Sequence, residues 1–299
     1  MIAPKVSIII PTYNRALELA RALQSIYDQS YQDWEIIVID NSSIDNTKGI
    51  VRDFNDGRIK FISVENKGVI AFSRNVGIRA SRGKYIAFLD SDDWWAPNKL
   101  EKSMSYLDSG FDFVYHDEWI VTPNSEFRRL KKIGVEGIRG NAFIELMTRP
   151  FSIPNSSVIL RAELLAKIGG LSEDADLITV EDFDAWLRIS LITNKLVCIP
   201  ECLGYYWVGA NNESKPHNTL QNKIIRLYER YIPHLGLKQQ KQARGIMSYK
   251  VARAAYSCSD FTLGSEYFYI AISSPISLIY RIKAFYSLMC CLMRQKRFS

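Results

Sequence analysis

The sequence predicts an α/β fold with an open, mostly parallel sheet flanked by helices. Two observations support this. Short, nearly all-apolar runs alternate along the chain with segments whose apolar residues recur at helical spacing. The runs are continuously apolar instead of alternating with polar residues, as is typical of parallel strands that helices cover on both faces.

The first hundred residues contain four predicted strands, at 6–10, 35–39, 58–64 and 85–89. Helices are expected between them. Asn14 is the expected N-cap of the first helix, and further helices are predicted at 45–54 and 73–81. This alternation places the strands side by side and collects the intervening loops at the sheet edges.

The second part of the chain is less regular. A fifth apolar run at 111–115 leads into His116, Asp117 and Glu118, and a short helix at 162–168 ends at two glycines. A further helix is expected to open at Glu181, and the pattern is helical from about 219 onward. We therefore divide the chain into an α/β domain at 1–218 and a basic, amphipathic helical region at 219–299.

Composition is that of a soluble globular protein, with 299 residues, 47% hydrophobic and 23% charged. The five cysteines are odd in number and lack paired C-x₂-C spacing, which argues against a disulfide framework and against a zinc site. A reducing, cytoplasmic compartment is expected. The first residues show no signal-peptide pattern.

The positive charge is concentrated at the C-terminus. The whole chain carries +6, but residues 219–299 contain 13 Lys or Arg and three acidic residues, a net charge of +10. Aromatic and aliphatic residues beyond Phe268 are interrupted by Arg281 and Lys283, so no run of about 20 apolar residues exists to cross a bilayer. This mixture indicates a helix lying on anionic lipid at the inner face of the cytoplasmic membrane. The alternative is a helix packed on its own domain or on a partner subunit.

An acidic loop follows the fourth predicted strand. Asp90, Asp92 and Asp93 come directly after the apolar run 85–89. Clustered carboxylates repel one another unless a cation screens them, and oxygen ligands suit Mg²⁺ or Mn²⁺, commonly together with substrate phosphates. The sequence therefore predicts a divalent metal that holds a diphosphate. The alternative is an acidic turn that caps the following segment.

Three polar loops are expected to share one edge of the sheet. The loops at 11–14, 40–45 and 90–93 each follow a strand, and open α/β sheets bind ligands at the carboxyl ends of their strands. No G-x-G-x-x-G follows the first strand, and no G-x-x-x-x-G-K-[ST] is present. Both a dinucleotide-binding Rossmann domain and a P-loop are thereby disfavoured.

Five motifs in order resemble the inverting glycosyltransferase family 2, whose members have the GT-A fold. They cover about residues 4–215 and lie at 6–14, at 39–45, at 66–68 with 73–77, at 89–93, and at 181–182 with 186–188. The segment 89–93 corresponds to the family's D-x-D signature. The segment 181–182 corresponds to its E-D motif.

The resemblance assigns the donor half of a transfer site. It implies that Asp92 is the direct ligand of Mn²⁺ or Mg²⁺ and that Asp90 holds the ribose or a metal-bound water. Tyr13 would stack on the base and Asp40 would accept a hydrogen bond from it, whereas Arg74 would neutralise phosphate or fix Asp90. The remaining donor-site residues implied are Pro11, Thr12 and Ser91.

The resemblance assigns the acceptor half to the E-D motif. Asp182 would be the general base that takes the proton from the acceptor hydroxyl as the new bond forms. Glu181 would orient Asp182 or bind an acceptor hydroxyl. Both residues also fit simple capping of the helix. Trp186 would stack on the acceptor sugar or, alternatively, belong to the core.

One segment departs from the family pattern. Trp207 and Gly209 stand where many relatives have the Arg and His of a Y-R-x-H segment, which puts a metal-binding His or a cationic diphosphate contact in doubt. His217 is the candidate substitute as a metal ligand. His116 and Asp117 are expected near the donor sugar.

The function expected is transfer of a sugar from a nucleotide donor, a UDP-sugar, to a hydroxyl of a saccharide acceptor. The acceptor would be lipid-linked, in the assembly of bacterial surface polysaccharide such as O-antigen or capsule. Nucleic acid is not an expected partner, and a homo-oligomer remains open. The alternatives are a sugar nucleotidyltransferase, disfavoured because no Gly-rich basic loop follows the first strand, and a non-catalytic nucleotide-sugar-binding protein.

Overall fold

The structure is a computed structural model that describes residues 3–125, 130–134, 137–209 and 219–298, with side chains up to Gln295. The chain divides into two compact units. Unit 1 comprises Met1–Arg139, Ser152–Glu173 and Arg188–Asn212. Unit 2 comprises Gly140–Phe151, Asp174–Leu187 and Glu213–Ser299.

Unit 1 contains a mixed, mostly parallel sheet. In the described part of the chain its strands are β1 (Val6–Thr12), β2 (Trp34–Asp40), β3 (Ile59–Ser63), β4 (Tyr85–Phe88), β5 (Trp94–Trp95), β6 (Phe113–Val121), β7 (Lys131–Ile133), β8 (Ile159–Arg161) and β9 (Leu196–Trp207). Their order is β3-β2-β1-β4-β8-β6-β9-β5, and β7 pairs with β6. β1, β2, β3 and β4 are parallel, as are β6 and β9, whereas β8 runs antiparallel to both of its neighbours. The predicted α/β fold is confirmed.

Helices alternate with the first strands and then dominate the C-terminal part. They are α1 (Ala16–Tyr27), α2 (Thr47–Asp53), α3 (Ile70–Ala80), α4 (Lys99–Asp108), α5 (Ala142–Thr148), α6 (Ala162–Lys167), α7 (Glu181–Ser190), α8 (Leu220–Tyr231), α9 (Leu237–Ser257), α10 (Phe261–Ser273) and α11 (Leu278–Phe298). The helices α8 to α11 confirm that the chain is helical beyond 219.

The sheet core forms because its central strands are apolar on both faces. Every residue of β1 and β2 is buried. Gly77 lets α3 approach them closely, since a Cβ atom there would lie 2.6 Å from Ile9 Cγ2 and 2.8 Å from Ile39 Cδ1. Burial on both faces is the reason the parallel pattern could be read from the sequence.

The fifth predicted strand was too short. Instead of ending at Tyr115, β6 continues through His116, Asp117 and Glu118, all of which are buried. The parallel pairing with β9 shifts register on both sides of Asp117, and Lys132 of β7 forms an ion pair with the Asp117 carboxylate at 2.5 Å. Partners distant in sequence thus allow a strand to carry polar residues into the interior.

The predicted cap of α1 was also wrong. Asn14 has a positive φ of 49° and its side-chain oxygen accepts a hydrogen bond from the Ile44 N–H at 2.8 Å. Asp45, from the loop after β2, instead accepts from the Ala16 N–H at 2.9 Å. A carboxylate at this position also complements the positive end of the helix dipole.

Within the described residues, no helix is both long enough and apolar enough to span a membrane.

Candidate active site

The three predicted loops meet at one edge of the sheet in unit 1. β1 lies between β2 and β4, and all three run parallel, so their following loops leave the same side. The Asn14 N–H donates to Ser43 Oγ at 2.8 Å, which joins the first loop to the second. Arg15 Nη1 lies 3.1 Å from Asp92 Oδ2, which joins the first loop to the third.

The first two loops present two unused acceptors. Asp40 is buried, and one of its oxygens accepts from the Ser43 N–H at 3.1 Å. Its Oδ1 atom and the Thr12 Oγ1 atom have no hydrogen-bond partner among the described residues. Tyr13, next to Thr12, is 51% exposed, whereas Pro11 is buried in β1. Thr12 pairs with Asp40 in the sheet, so an unpaired buried acceptor at the end of β2 and an exposed aromatic ring just after the end of β1 suit a planar ligand that carries an N–H donor.

Asp90 is held by neighbouring side chains. The buried Arg74 donates from Nη2 to Asp90 Oδ1 at 2.8 Å, and Asn155 Nδ2 donates to the same oxygen at 3.3 Å. The Asp90 N–H donates to Ser156 Oγ at 3.0 Å. This contact is the one expected if Arg74 fixes Asp90, and the alternative role of Arg74 at the phosphate stays a prediction.

Asp92 is partly buried, as is Asp90, and sequence reasoning missed the two arginines that contact Asp92, Arg15 and Arg21. Burial raises the pKa of Asp92 to about 6, because the Arg15 cation opposes this effect only in part and the charge of Asp90 adds to it. Arg21 Nη2 donates to the Asp92 carbonyl, and its guanidinium lies 3.8 Å from the centre of the Trp94 ring. Arg15, just before α1, and Arg21, in the middle of α1, thus supply positive charge to this loop.

Asp93 and Ser91 are buried, and Asp93 is not a cap. The Asp93 carboxylate accepts from Ser156 Oγ at 2.6 Å and from the Trp207 N–H at 2.9 Å. The next helix, α4, begins only at Lys99, so the alternative in which the acidic turn caps the following segment is wrong for Asp93, which instead links the loop to β9. Trp207 lies in the segment that differs from the family's Y-R-x-H pattern. It therefore contacts the acidic loop through its backbone N–H.

The donor set of the acidic loop fits a divalent metal. Asp90 and Asp92 are hard oxygen ligands two residues apart, and Mg²⁺ is commonly held by one or two carboxylates together with phosphate oxygens. Burial and the nearby charge of Asp90 raise the pKa of Asp92, so a bound cation would stabilise the charged form of this carboxylate. Within the described residues, no group of three or more His, Cys, Asp or Glu side chains is arranged as a metal site.

A buried polar cluster lies in the same unit as the acidic loop. Neither Glu118 oxygen nor Lys99 Nζ has a hydrogen-bond partner in the described part of the chain, and Lys99 Nζ lies 3.7 Å from the centre of the Trp95 ring. Burial raises the pKa of Glu118 to about 8, assisted by the charge of Asp90. Burial also lowers the pKa of Lys99 well below its ordinary value and that of His116 to about 3. The buried His116 and Asp117 are thus interior strand residues, not groups exposed to a donor sugar.

The E-D motif begins α7 in unit 2. The three acidic residues in the first turn of this helix differ in exposure. Glu181 and Asp184 are buried, and Asp184 accepts from the Tyr231 hydroxyl at 2.7 Å. Asp182 is only partly buried, and its Oδ1 accepts from the Phe183 N–H at 2.6 Å. Among these three, Asp182 is the carboxylate that a ligand could reach, and Asp184 anchors α7 to α8.

The backbone before the E-D motif is strained. Thr179 has a φ of 79°, in the left-handed region that a β-branched residue rarely adopts. Such strain is found preferentially at functional sites, where the surrounding structure maintains it. Nothing in the sequence identified this position.

Lys250 of α9 is a further residue that sequence reasoning missed. Its Nζ donates to the Phe151 carbonyl at 2.9 Å and lies 4.1 Å from the centre of the Phe183 ring. Burial lowers the pKa of Lys250 to about 7, and the negative charge of Asp182 limits this decrease. The side chain therefore changes charge near neutral pH beside the E-D motif.

Replacing Lys250 by Met should change how stability depends on pH. Between pH 7 and 10.5 the unfolded chain keeps a proton on Lys250 that the folded protein has lost, so the wild type gains stability relative to Lys250→Met as pH rises through this window. We expect the free energy of unfolding of the wild type to rise by about 2 kcal/mol relative to that of the variant. This is less than the whole pKa shift would give, because the Lys250 side chain is only partly buried. Urea unfolding at pH 7, 8.5 and 10 measures it. The exposed α9 variant Lys238→Met should follow the wild type, and parallel curves for Lys250→Met would contradict the assignment.

Two further predicted site residues are Trp186 and His217. Trp186 is fully buried, so its indole lies in the core and is not exposed for stacking on an acceptor sugar; its helical spacing already allowed this alternative. His217 lies outside the described residues.

Comparison of the sequence with known families identifies the chain. Residues 7–162, more than half of its length, match the pattern of Glycosyl transferase family 2. The chain belongs to glycosyl transferase family 2. The resemblance drawn from the five motifs is confirmed.

Relatives of this family 2 chain include enzymes of bacterial polysaccharide synthesis. It is 37% identical over 161 residues to the Escherichia coli UDP-Glc:alpha-D-GlcNAc-diphosphoundecaprenol beta-1,3-glucosyltransferase WfgD, covering 50% of this chain and 64% of WfgD. It is 38% identical over 106 residues to the putative teichuronic acid biosynthesis glycosyltransferase TuaG of Bacillus subtilis, covering 35% and 42%. It is 30% identical over 229 residues to the uncharacterized glycosyltransferase MJ1057 of Methanocaldococcus jannaschii, covering 75% and 78%. The matches to WfgD and TuaG span less than two thirds of those proteins.

Solved structures share the fold. S. aureus TarS matches with a TM-score of 0.65 and 20% identity, covering 89% of this family 2 chain and 49% of TarS. The mannosyltransferase PcManGT from Pyrobaculum calidifontis, in complex with GDP-Man and Mn²⁺, matches with a TM-score of 0.60 and 19% identity, covering 100% and 83%. The predicted GT-A fold with a C-terminal helical region is confirmed.

Proposed function

We propose that this protein is an inverting glycosyltransferase that moves a sugar from a UDP-sugar to a hydroxyl of a lipid-linked saccharide. The reaction would serve the assembly of bacterial surface polysaccharide, at the cytoplasmic face of the membrane. Family membership and the similarity to WfgD, a UDP-Glc:alpha-D-GlcNAc-diphosphoundecaprenol beta-1,3-glucosyltransferase, support this proposal.

The observation that carries the proposal is the unused acceptor at Asp40. Asp40 Oδ1 is buried without a hydrogen-bond partner among the described residues, next to the similarly unused Thr12 Oγ1. Leaving such an acceptor unpaired is unfavourable unless a ligand supplies the donor. The N3–H group of uracil is such a donor, and Tyr13 would cover the ring. Cytosine has an acceptor at N3, so this carboxylate discriminates between the two pyrimidines.

The acidic loop would hold the diphosphate. Asp92 would ligate Mn²⁺ or Mg²⁺, and Arg74 keeps Asp90 oriented for the ribose or for a metal-bound water. When bound, the metal supplies positive charge to the departing nucleoside diphosphate. Arg15 contacts Asp92 directly and is therefore placed to neutralise the same charge.

Asp182 would act on the acceptor. A sugar hydroxyl is too weak an acid to ionise beforehand, so Asp182 takes its proton while the oxygen attacks the anomeric carbon. The bond from that carbon to the diphosphate breaks in the same displacement, and the configuration inverts. Glu181, buried next to Asp182, would orient the base.

Replacing Asp40 by Asn tests the donor assignment. The Asn oxygen can still accept from the Ser43 N–H, but its amide then presents N–H groups toward the uracil N3–H. We expect UDP affinity to fall about 10- to 100-fold, while CDP affinity stays constant or rises. Calorimetric titration with UDP, CDP, GDP and one UDP-sugar, with and without Mn²⁺, measures this.

Asp53→Asn provides the matched control, since Asp53 is an exposed carboxylate on α2. It should bind UDP as the wild type does. Unchanged UDP affinity in Asp40→Asn would refute the role of Asp40, and a wild type that binds none of these nucleotides would refute the proposed function itself.

A further inference from the structure

α11 carries a broad apolar face that its own unit leaves exposed. Large apolar side chains at eight positions of this helix are 40–73% exposed, namely Leu278, Ile279, Ile282, Phe285, Tyr286, Met289, Leu292 and Met293. Their spacings of three and four residues place them on one side of the helix. At about 100° per residue, they form a stripe about 140° wide and about 22 Å long.

The opposite side of α11 faces its own unit. Ala284 and Cys291, seven residues apart, are fully buried. A Cβ atom on Gly264 of α10 would lie 3.3 Å from Cys291 Sγ, so the two helices approach closely there. Gln295 Nε2 donates to the Phe261 carbonyl at 2.8 Å. The exposed stripe is therefore the outer side of a docked helix.

Charge determines what can cover this stripe. The chain contains five basic residues and no acidic residue after Glu266. Exposed Arg281 lies beside one edge of the stripe, and exposed Lys283 and Arg294 lie beside the other. Two copies of α11 packed through this face would bring cations together without any acid to pair with them. An anionic lipid surface instead offers apolar depth for the stripe and negative charge for its borders.

We propose that the outer face of α11 docks on anionic phospholipid, with the helix parallel to the membrane plane. Apolar side chains would enter the acyl boundary, and the flanking cations would remain at the headgroups. The inference goes beyond the proposed transfer reaction, because it rests on unit 2 alone and requires no nucleotide.

Sedimentation of the full chain with vesicles tests the proposal. We expect binding to phosphatidylcholine vesicles containing about one third phosphatidylglycerol, at least tenfold weaker binding to pure phosphatidylcholine, and weakening at 0.5 M salt. The double variant Ile282→Glu/Phe285→Glu should bind at least tenfold less, and Arg281→Gln/Lys283→Gln should lose mainly the preference for anionic lipid. Nucleotide affinity, measured in parallel, should be unchanged in both.

Leu237→Glu is the matched control, because Leu237 is an exposed apolar residue of the same unit that lies on α9, outside the stripe. It should bind vesicles as the wild type does, and circular dichroism melting establishes that every variant is folded. Equal binding to neutral and anionic vesicles, or unchanged binding of Ile282→Glu/Phe285→Glu, would overturn the proposal. The wild type could instead sediment as a dimer without lipid, and Ile282→Glu/Phe285→Glu as a monomer. That result would show that a second copy of the chain, not lipid, covers the stripe.

Discussion

Asp182→Asn is expected to bind the donor with unchanged affinity and to transfer sugar about 1,000-fold more slowly. The amide oxygen can retain the hydrogen bond from the Phe183 N–H, so the start of α7 should keep its conformation. An amide cannot accept the acceptor proton, and general-base catalysis typically contributes a factor of about 100 to 10,000. Single-turnover transfer with a saturating UDP-sugar, next to calorimetric donor binding, separates the two effects.

Two control variants make this result specific. Glu229→Gln removes an exposed carboxylate on α8 and should leave transfer unchanged. Asp184→Asn weakens the buried hydrogen bond from Tyr231 and should lower the melting temperature. If Asp182 only capped the helix, its variant would behave like Asp184→Asn, with lower stability and a normal rate per folded molecule. Wild-type transfer in folded Asp182→Asn would refute the base assignment.

The sequence was sufficient to predict the sheet edge that carries the acidic loop. Continuous apolar runs identified β1, β2 and β4, and parallel strands with right-handed connections necessarily bring their following loops to one side. The contacts from Asn14 to Ser43 and from Arg15 to Asp92 show that these loops meet. The apolar runs of the strands and the handedness of their connections are therefore enough to predict that these loops meet. No individual contact has to be known.

Side-chain partners could not be predicted, because they come from segments distant in sequence. Asp45 caps α1 from another loop, and Lys132 permits Asp117 to lie inside β6. The rule that buried strands exclude charged groups consequently ended the fifth predicted strand too early. Lys250 was missed for the same reason: nothing local indicates that α9 places an amine beside Phe183.

Asp92→Asn is expected to abolish the response of the enzyme to Mn²⁺. Wild-type UDP-sugar affinity should rise with metal, whereas the variant should show the same weak affinity with and without it, and its transfer rate should be about 1,000-fold lower. The physical reason is that an amide is a poor ligand for a hard cation and leaves the charge of the leaving diphosphate uncompensated. Calorimetry and initial rates over a Mn²⁺ titration measure both.

The ion pair between Arg15 and Asp92 provides the comparison that decides what Asp92 does. If Asp92 only held Arg15 in place, Arg15→Gln and Asp92→Asn would lower the transfer rate equally, and both would leave the metal response intact. If Asp92 ligates the metal, Arg15→Gln should keep the Mn²⁺ response and only Asp92→Asn should lose it. Removing Arg15 also removes the cation that holds down the pKa of Asp92, so the Mn²⁺ requirement of Arg15→Gln should increase at acidic pH.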